Sequence, residues 1–361
     1  MPPSSIFPLS RPPRTLAIMR LSAIGDVTHM LPVVNTLQKV WPQTQITWFI
    51  GKLEAQLIGD FPNVEFIIVD KGAGWKGYWQ LYRRMRHRQF DIFLQMQVSL
   101  RASITSMMIP AKVRIGFDRK RAADKQWWFT DYQIPHQPRQ HVLDSFFEFL
   151  VFLGINERHL QWSLPIPPVA YEFAKNTFPS NKKLLVINPC SSQRRNNWRN
   201  WRHEHYAAVI EYAVTHCDMH VALTGGPAAN EVAMGEAVLA ALSPVTAQSV
   251  TDLIGKTALK ELAAILDKAC AVIAPDTGPA HIANAVGTPV IGLYATSNPE
   301  RTGPYDRRWV VNQYPAALAH IGLSEASAKW GQRVRDPNVL DLITVAQVTD
   351  KLSAVLAESK Q

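Results

Sequence analysis

The amino-acid sequence predicts an α/β protein of two doubly wound domains, and three observations carry that reading. Short apolar runs alternate with longer amphipathic stretches in both halves, the pattern of strands that cross over through helices and return parallel. A proline cluster, Trp162-Ser163-Leu164-Pro165-Ile166-Pro167-Pro168, breaks that periodicity near the middle, as interdomain connections do. The chain is 361 residues long, more than one hydrophobic core usually holds. These points divide it into a disordered leader 1–14, a first domain 15–160, a linker 161–183 and a second domain 184–345, with a C-terminal helix 346–361 that packs back on the N-terminal domain.

The leader, MPPSSIFPLSRPPR, carries five prolines and no apolar core of a signal peptide. Thr15 to Leu21 then reads as a strand, Ser22-Ala23-Ile24-Gly25-Asp26 as a tight turn, and the next stretch as a helix with Val27, Met30, Leu31, Val34 and Leu37 on one face. Strands follow near Gln45 to Ile50, Val64 to Val69 and Asp91 to Gln95. Helices are predicted over Tyr78 to Gln89 and His141 to Leu153. The second domain repeats the scheme, with strands at Leu184 to Asn188, His220 to Thr224, Ala271 to Ala274 and Val290 to Tyr294, and a helix from about His203.

Two loops stand out chemically. Asp26 falls at the N-cap of the first helix, where a carboxylate commonly does no more than cap. The same position, at the C-terminal end of a first parallel strand, also faces the crevice where such sheets bind ligands, and there a carboxylate can act as general base. His29, one turn on, reads as packed or solvent-facing. In the second domain, Asp276-Thr277-Gly278-Pro279-Ala280-His281 joins a strand to a small-residue helix. Pro279 suits the first helical turn, and the unpaired N–H groups of a helix start form an anion site. Hydroxyls and arginines also follow the strand at Leu184, in Pro189-Cys190-Ser191-Ser192 and the run QRRNNWRNW, and arginine binds two phosphate oxygens at once. Gly225-Gly226-Pro227 admits a ligand close to backbone, and Glu231 lies on the next helix.

Other motifs carry less. Gly72-Ala73-Gly74-Trp75-Lys76-Gly77 matches GxGxxG, but a dinucleotide fingerprint occupies the first βα turn, and the nearest acid, Asp91, begins a strand instead of ending one. Gly255-Lys256-Thr257 would need glycine where Val250 stands to be a phosphate loop. Cys190, Cys217 and Cys270 form no CxxC pair, which argues for a reducing compartment and against zinc. His203 and His205 face different ways on a helix, and no Asp-x-Asp occurs.

The formal net charge of +9 favours an anionic partner. Arg83, Arg84, Arg86 and Arg88 cluster on one predicted helix. Arg114, Arg119, Lys120, Arg121 and Lys125 form a second group in a predicted loop beside Trp127 and Trp128. A solvated face is the plain reading of a charge run, yet basic clusters with aromatics also suit an anionic amphiphile at a bilayer face. No nucleic-acid-binding pattern is present.

Together, RLSAIGDVTHMLP, NPCSS, LTGGPAANE, APDTGPAHIANAVGTPVIGLY and TSNPERTGPY resemble the family nine glycosyltransferases, the heptosyltransferases of lipopolysaccharide synthesis, from about Thr15 to Tyr305. The resemblance implies a GT-B architecture, two facing Rossmann-like domains with the active site in the cleft and domain closure bringing the halves together. It implies an inverting, metal-independent transferase without cofactor, cytoplasmic and peripheral to the inner membrane. The donor would be ADP-L-glycero-β-D-manno-heptose, the acceptor an anionic, lipid-linked core oligosaccharide, and no nucleic acid would bind. Asp26 matches the family's catalytic base. Asp276, Thr277, Gly278 and His281 match its donor loop, Ser191 and Ser192 further phosphate contacts, and Glu231 the acid that grips the ribose. The family's cationic clamp precedes a tryptophan; Arg199 before Trp201 is the preferred match, with Arg194 or Arg195 as substitutes if Trp198 is the equivalent. Arg83, Arg84, Arg88, Arg119 and Arg121 are the candidates for acceptor binding. A relative moving another sugar, or a non-catalytic nucleotide or nucleic-acid binder, are the competing readings.

Overall fold

A computed structural model describes residues 6–70, 72–179, 181–191 and 198–358. The chain divides into two compact units, with the break between Pro165 and Ile166. The first holds a six-stranded sheet of β1 (Thr15–Met19), β2 (Gln45–Gly51), β3 (Val64–Val69), β4 (Phe90–Gln95), β5 (Ala111–Gly116) and β6 (Tyr132–Gln133). Its spatial order is β3-β2-β1-β4-β5-β6, every pair parallel. The second unit holds β7 (Lys183–Ile187), β8 (Met219–Leu223), β9 (Val250–Asp252), β10 (Ala271–Pro275), β11 (Val290–Tyr294) and β12 (Val311–Asn312). Their order, β12-β11-β10-β7-β8-β9, is the same topology again, all parallel. This is the doubly wound dinucleotide-fold order, whose strand direction of travel reverses beside the first strand.

Both predicted sheets are therefore present, and apolar strands such as Leu16–Met19 and Val272–Ala274 are fully buried because helices cover both faces. Strands β5, β6, β9 and β12 escaped the sequence reading, being short or half-polar. Arg114, assigned to a loop, belongs to β5 and gives its Nη1 to the Ser106 carbonyl at 2.8 Å. The helix predicted over Tyr78 to Gln89 spans Gly74–Met85, so Gly74 and Gly77 lie inside it, and the GxGxxG motif sits beside the edge strand β3, away from the sheet's reversal point.

Three boundary expectations change. The linker 161–183 contains the helix Pro168–Thr177, which packs on the helix Leu259–Lys268 of the second unit, with Lys268 Nζ 5.4 Å from the Tyr171 ring centre. The C-terminal helix, expected to return to the first domain, is Val345–Glu358. Its Val348, Leu352 and Val355 join the second unit's core around Trp201 and Tyr206. Within the leader, Phe7 is buried against Phe152 and Tyr132, with ring centres 4.7 and 5.1 Å apart, and the Leu9 N–H donates to the Leu153 carbonyl at 3.1 Å. Proline content had suggested disorder, but one aromatic ring and a backbone bond anchor this segment. Gly154, at φ +105°, lets the chain pass: a β-carbon there would stand 3.1 Å from Pro8 Cβ. Among the described residues no helix is long and apolar enough to cross a membrane.

Phe7→Ala should lower the stability of the first unit by about 3 kcal/mol, the usual cost of emptying a buried phenyl site. Urea unfolding followed by fluorescence tests this, and an unchanged midpoint would return the segment to the status of a passive leader.

Candidate active site

In each sheet the loops after its first and fourth strands diverge at the reversal point, and the chemistry-bearing residues gather there. In the first unit that point lies between β1 and β4. The turn after β1 is held from several sides: Gln97 Oε1 accepts the N–H groups of Leu21 and Ser22, both at 3.2 Å, and the Leu21 carbonyl accepts from Gly51 at 3.0 Å. The helix that follows is Ile24–Val40, with Ala23 as N-cap. Asp26 is thus the third residue of the helix and not its cap, and its carboxylate reaches back to the Ala23 N–H at 3.3 Å, closing the first turn as acids at this position do.

The same carboxylate forms an ion pair with Arg20, a residue the sequence reading passed over. Arg20 gives Nη1 to the Met96 carbonyl at 2.6 Å and lies over the Phe146 ring, 5.1 Å from its centre. Its side chain is only 11% exposed while that of Asp26 is 30% exposed, so the cation is fixed and the acid faces outward. A basic residue immediately after the first strand, six before the acid, was the available signal. His29 is buried, edge-on to His141 at 5.1 Å, which matches its reading as a packed residue.

In the second unit the reversal point lies between β7 and β10. Asn188, at the end of β7, donates Nδ2 to the Thr224 carbonyl at 2.8 Å and ties β7 to β8. Ser191 is buried, and its N–H donates to Asn200 Oδ1 at 3.0 Å. Ser192, with Arg194 and Arg195, lies outside the described residues. Arg199 crosses to the loop after β10, donating Nη1 to the Asp276 carbonyl at 2.7 Å and lying 3.2 Å from Asp276 Oδ2. Trp201 turns inward, giving Nε1 to the Ile343 carbonyl at 3.1 Å, and the next helix begins at His203.

Asp276 is also reached by Ser297 Oγ at 3.0 Å and by His281 Nε2 at 3.9 Å. Burial pushes its carboxyl up, but His281, the Arg199 charge and the Ser297 hydroxyl together outweigh burial and hold it below the usual carboxylate range. Thr277 caps the helix Gly278–Ala285, leaving the N–H groups of Gly278 and Ala280 at its open start. Thr277 Oγ1 is buried without a hydrogen-bond partner among the described residues, which fits a site completed by a polar ligand.

Glu231 stands beside this group, in the first turn of the helix Ala229–Ala240 after β8, and accepts the Gly226 N–H at 2.7 Å. Burial, and then the Glu231 charge, push the Cys190 thiol up to about 12, so it is no thiolate nucleophile. Ser191, Arg199, Glu231, Asp276, Thr277, Gly278 and His281 therefore lie at the C-terminal ends of three adjacent strands. Among the described residues no three His, Cys, Asp or Glu side chains gather to hold a metal ion.

The five candidate acceptor-binding arginines separate into two kinds. Arg88 holds both carboxylate oxygens of Glu65, each at 2.7 Å, and Arg121 is bound to Asp118 and, at 2.8 Å, to Glu148. These two guanidiniums tie elements of the first unit together. Arg83, Arg84 and Arg119 are exposed, with Arg83 stacked 4.6 Å over Trp79 and Arg119 5.8 Å over Trp127.

Residues 78–320 match the model of glycosyltransferase family 9 (heptosyltransferase). The chain is 40% identical to the lipopolysaccharide core heptosyltransferase OpsX of Haemophilus influenzae, over 94% of this chain and 96% of that one. It is 29% identical to the lipooligosaccharide heptosyltransferase 2 of the same species, over 95% and 99%. Among solved structures, a family 9 glycosyltransferase from Veillonella parvula superposes with a TM-score of 0.77 at 23% identity, covering 96% of this chain and 97% of that one. The Escherichia coli heptosyltransferase WaaC with ADP gives 0.72 at 19%, covering 94% and 99%. Both confirm the GT-B fold class expected from the sequence. With the family model matching more than half of the chain and a relative at 40% identity along nearly the whole length, the chain belongs to glycosyltransferase family 9, the heptosyltransferases.

Proposed function

We propose that the protein transfers heptose from ADP-L-glycero-β-D-manno-heptose to the lipopolysaccharide inner core, either Kdo-lipid A or heptosylated core, with inversion and without a metal, at the cytoplasmic face of the inner membrane. The observation that carries this reading is the pinned carboxylate of Asp276 at a helix start on the second sheet's reversal point. The identity to a relative called a lipopolysaccharide core heptosyltransferase supports the substrate class.

In this mechanism Asp26 takes the proton of the acceptor hydroxyl while that oxygen forms a bond to the anomeric carbon. The bond from that carbon to the ADP oxygen breaks on the opposite face, so one displacement inverts the centre. The helix-start N–H groups of Gly278 and Ala280, with Ser191 and the Arg199 charge, meet the phosphates and stabilise the negative charge that grows on departing ADP. Glu231 holds the ribose hydroxyls. Asp276, fixed by Arg199, His281 and Ser297, keeps the loop in one geometry, and His281 faces the heptose. Ser192 would add a further phosphate contact. The exposed Arg83, Arg84 and Arg119 supply cations for the acceptor's anionic groups.

Asp26→Ala should reduce transfer about 10²- to 10⁴-fold while leaving ADP affinity nearly unchanged; persistent turnover would remove its role as base. Assayed with a panel of nucleotide sugars and truncated core acceptors in the presence of chelator, the wild-type protein should use only the ADP-heptose, at an unaltered rate. Transfer from a different sugar alone overturns the substrate assignment, and loss with chelator overturns the metal-free mechanism. Arg121→Ala should lower the stability of the first unit by roughly 3 kcal/mol, as broken buried pairs do, without weakening acceptor binding in the surviving folded fraction.

The folded pKa of Asp276 is depressed, so its ionised form adds stability that is complete above the ordinary carboxylate range. That contribution is lost as pH falls through the lower folded value. Thermal unfolding between neutral and acid pH should show the second unit losing stability on that limb, and Asp276→Asn should flatten it. A parallel pH profile for both proteins would refute the assignment.

A further inference from the structure

Segment 321–336 of the second unit follows the helix Tyr314–His320 and has no helix or strand of its own. It is nevertheless pinned along its length. The Val334 N–H donates to the Thr296 carbonyl at 3.0 Å, the Tyr314 hydroxyl donates to the Gln332 carbonyl at 2.9 Å, and Ala328 and Val334 belong to the unit's core. Burial alternates around the first of these bonds: Val334 is inside, while Arg333 and Arg335 on either side are exposed, as neighbouring side chains of extended backbone point opposite ways.

These arginines, with Ile321, Lys329, Gly331 and Gln332, line an open groove of about 850 Å³. Arg301 stands beside it, its guanidinium carbon 3.6 Å from where a β-carbon on Gly331 would lie. Elsewhere in the unit arginines are taken up by acids, as Arg307 is by Glu300 and Arg308 by Asp306. Arg301, Lys329 and Arg335 hold no acid among the described residues. Nor do the acids of the segment offset them. Asp336 turns one oxygen to His320 at 3.1 Å and the other to the Asn338 N–H at 2.8 Å, and Glu325 does not line the groove. The groove is also close to the donor loop: Thr296 follows β11, and the next residue, Ser297, is the one that grips Asp276.

We propose that this groove binds a phosphate monoester borne by a sugar, with Lys329, Arg333 and Arg335 around the phosphate. Several cations about one open space match a hydrated dianion with three accepting oxygens, whereas a carboxylate is satisfied by a single guanidinium. Among the described lining residues there is no aromatic ring for a nucleobase and only Ile321 is large and apolar, so neither a nucleic acid nor an acyl chain is matched. Two sources share this chemistry, a phosphate on the core acceptor and a free sugar phosphate. The first rests on the proposed function and the second does not.

Glucose 6-phosphate, titrated by calorimetry into protein saturated with ADP, tests the groove apart from the donor loop. It should bind the wild type, and glucose should not. The double variant Lys329→Gln, Arg335→Gln, whose side chains are exposed and whose fold circular dichroism verifies, should bind at least about tenfold more weakly. Two deacylated core acceptors differing only in one sugar phosphate then separate the sources. If the acceptor supplies the phosphate, the variant should show a KM about tenfold higher for the phosphorylated acceptor, with kcat unchanged and both constants unchanged for the other. If a free sugar phosphate is the ligand, KM should be the same for both acceptors in both proteins while the titration still distinguishes variant from wild type. Equal binding by wild type and variant, a KM raised equally for both acceptors, or no binding together with unaltered KM values would each overturn the groove. Transfer by the wild type to neither acceptor would overturn the proposed function instead, with the titration still deciding the groove.

Discussion

Parallel strand pairing imposes one geometry on both units. Every strand in a parallel sheet delivers its following loop to the same edge, and a sheet wound outward in both directions from its first strand leaves one gap on that edge where neighbouring loops part. Asp26 and Met96 come to such a gap from β1 and β4, as Arg199 and Asp276 do from β7 and β10. The residues with chemistry are therefore set by sheet topology, and their separation in the chain is a consequence of winding.

The two acids at these gaps are held by the same kind of partner to different ends. Each meets an arginine, yet Asp276 is enclosed, with its carboxylate also occupied by a serine hydroxyl and approached by a histidine. Asp26 keeps an open side while its arginine is buried behind it. A carboxylate saturated by internal donors holds a loop in place, and one gripped from behind retains an oxygen for an incoming hydroxyl. In the proposed mechanism the same residue type thereby becomes scaffold in one unit and reagent in the other.

Much of this was legible in the chain. Apolar runs marked the central strands because both faces of each are buried, and the small residues around Gly278 marked a helix start because little else fits there. The failures share a cause: they depend on contacts that only the folded chain makes. Arg88 and Arg121 look like any exposed cation until Glu65, Asp118 and Glu148 are brought to them by folding. Arg114 reads as loop because its strand is half-polar, although the bend of chain at Ser106 and Ile109 supplies carbonyls for its guanidinium. Phe7 hides among prolines, and only its contact with the helix Val142–Leu153 shows that it belongs to the fold. Arg20 was visible as a basic residue, but nothing local says that it reaches Asp26 instead of solvent.

The stacking of Arg20 on Phe146 has a further consequence. The ring belongs to a helix whose Leu143, Phe147, Phe149 and Leu150 are interior packing, yet it forms the wall against which the guanidinium rests, and the guanidinium in turn holds the acid. Phe146 is only 1% exposed, so emptying its site would cost stability and at the same time take away the wall behind the guanidinium, joining a defect of aim to one of folding. Residues packed behind the proposed base thus share in whatever it does.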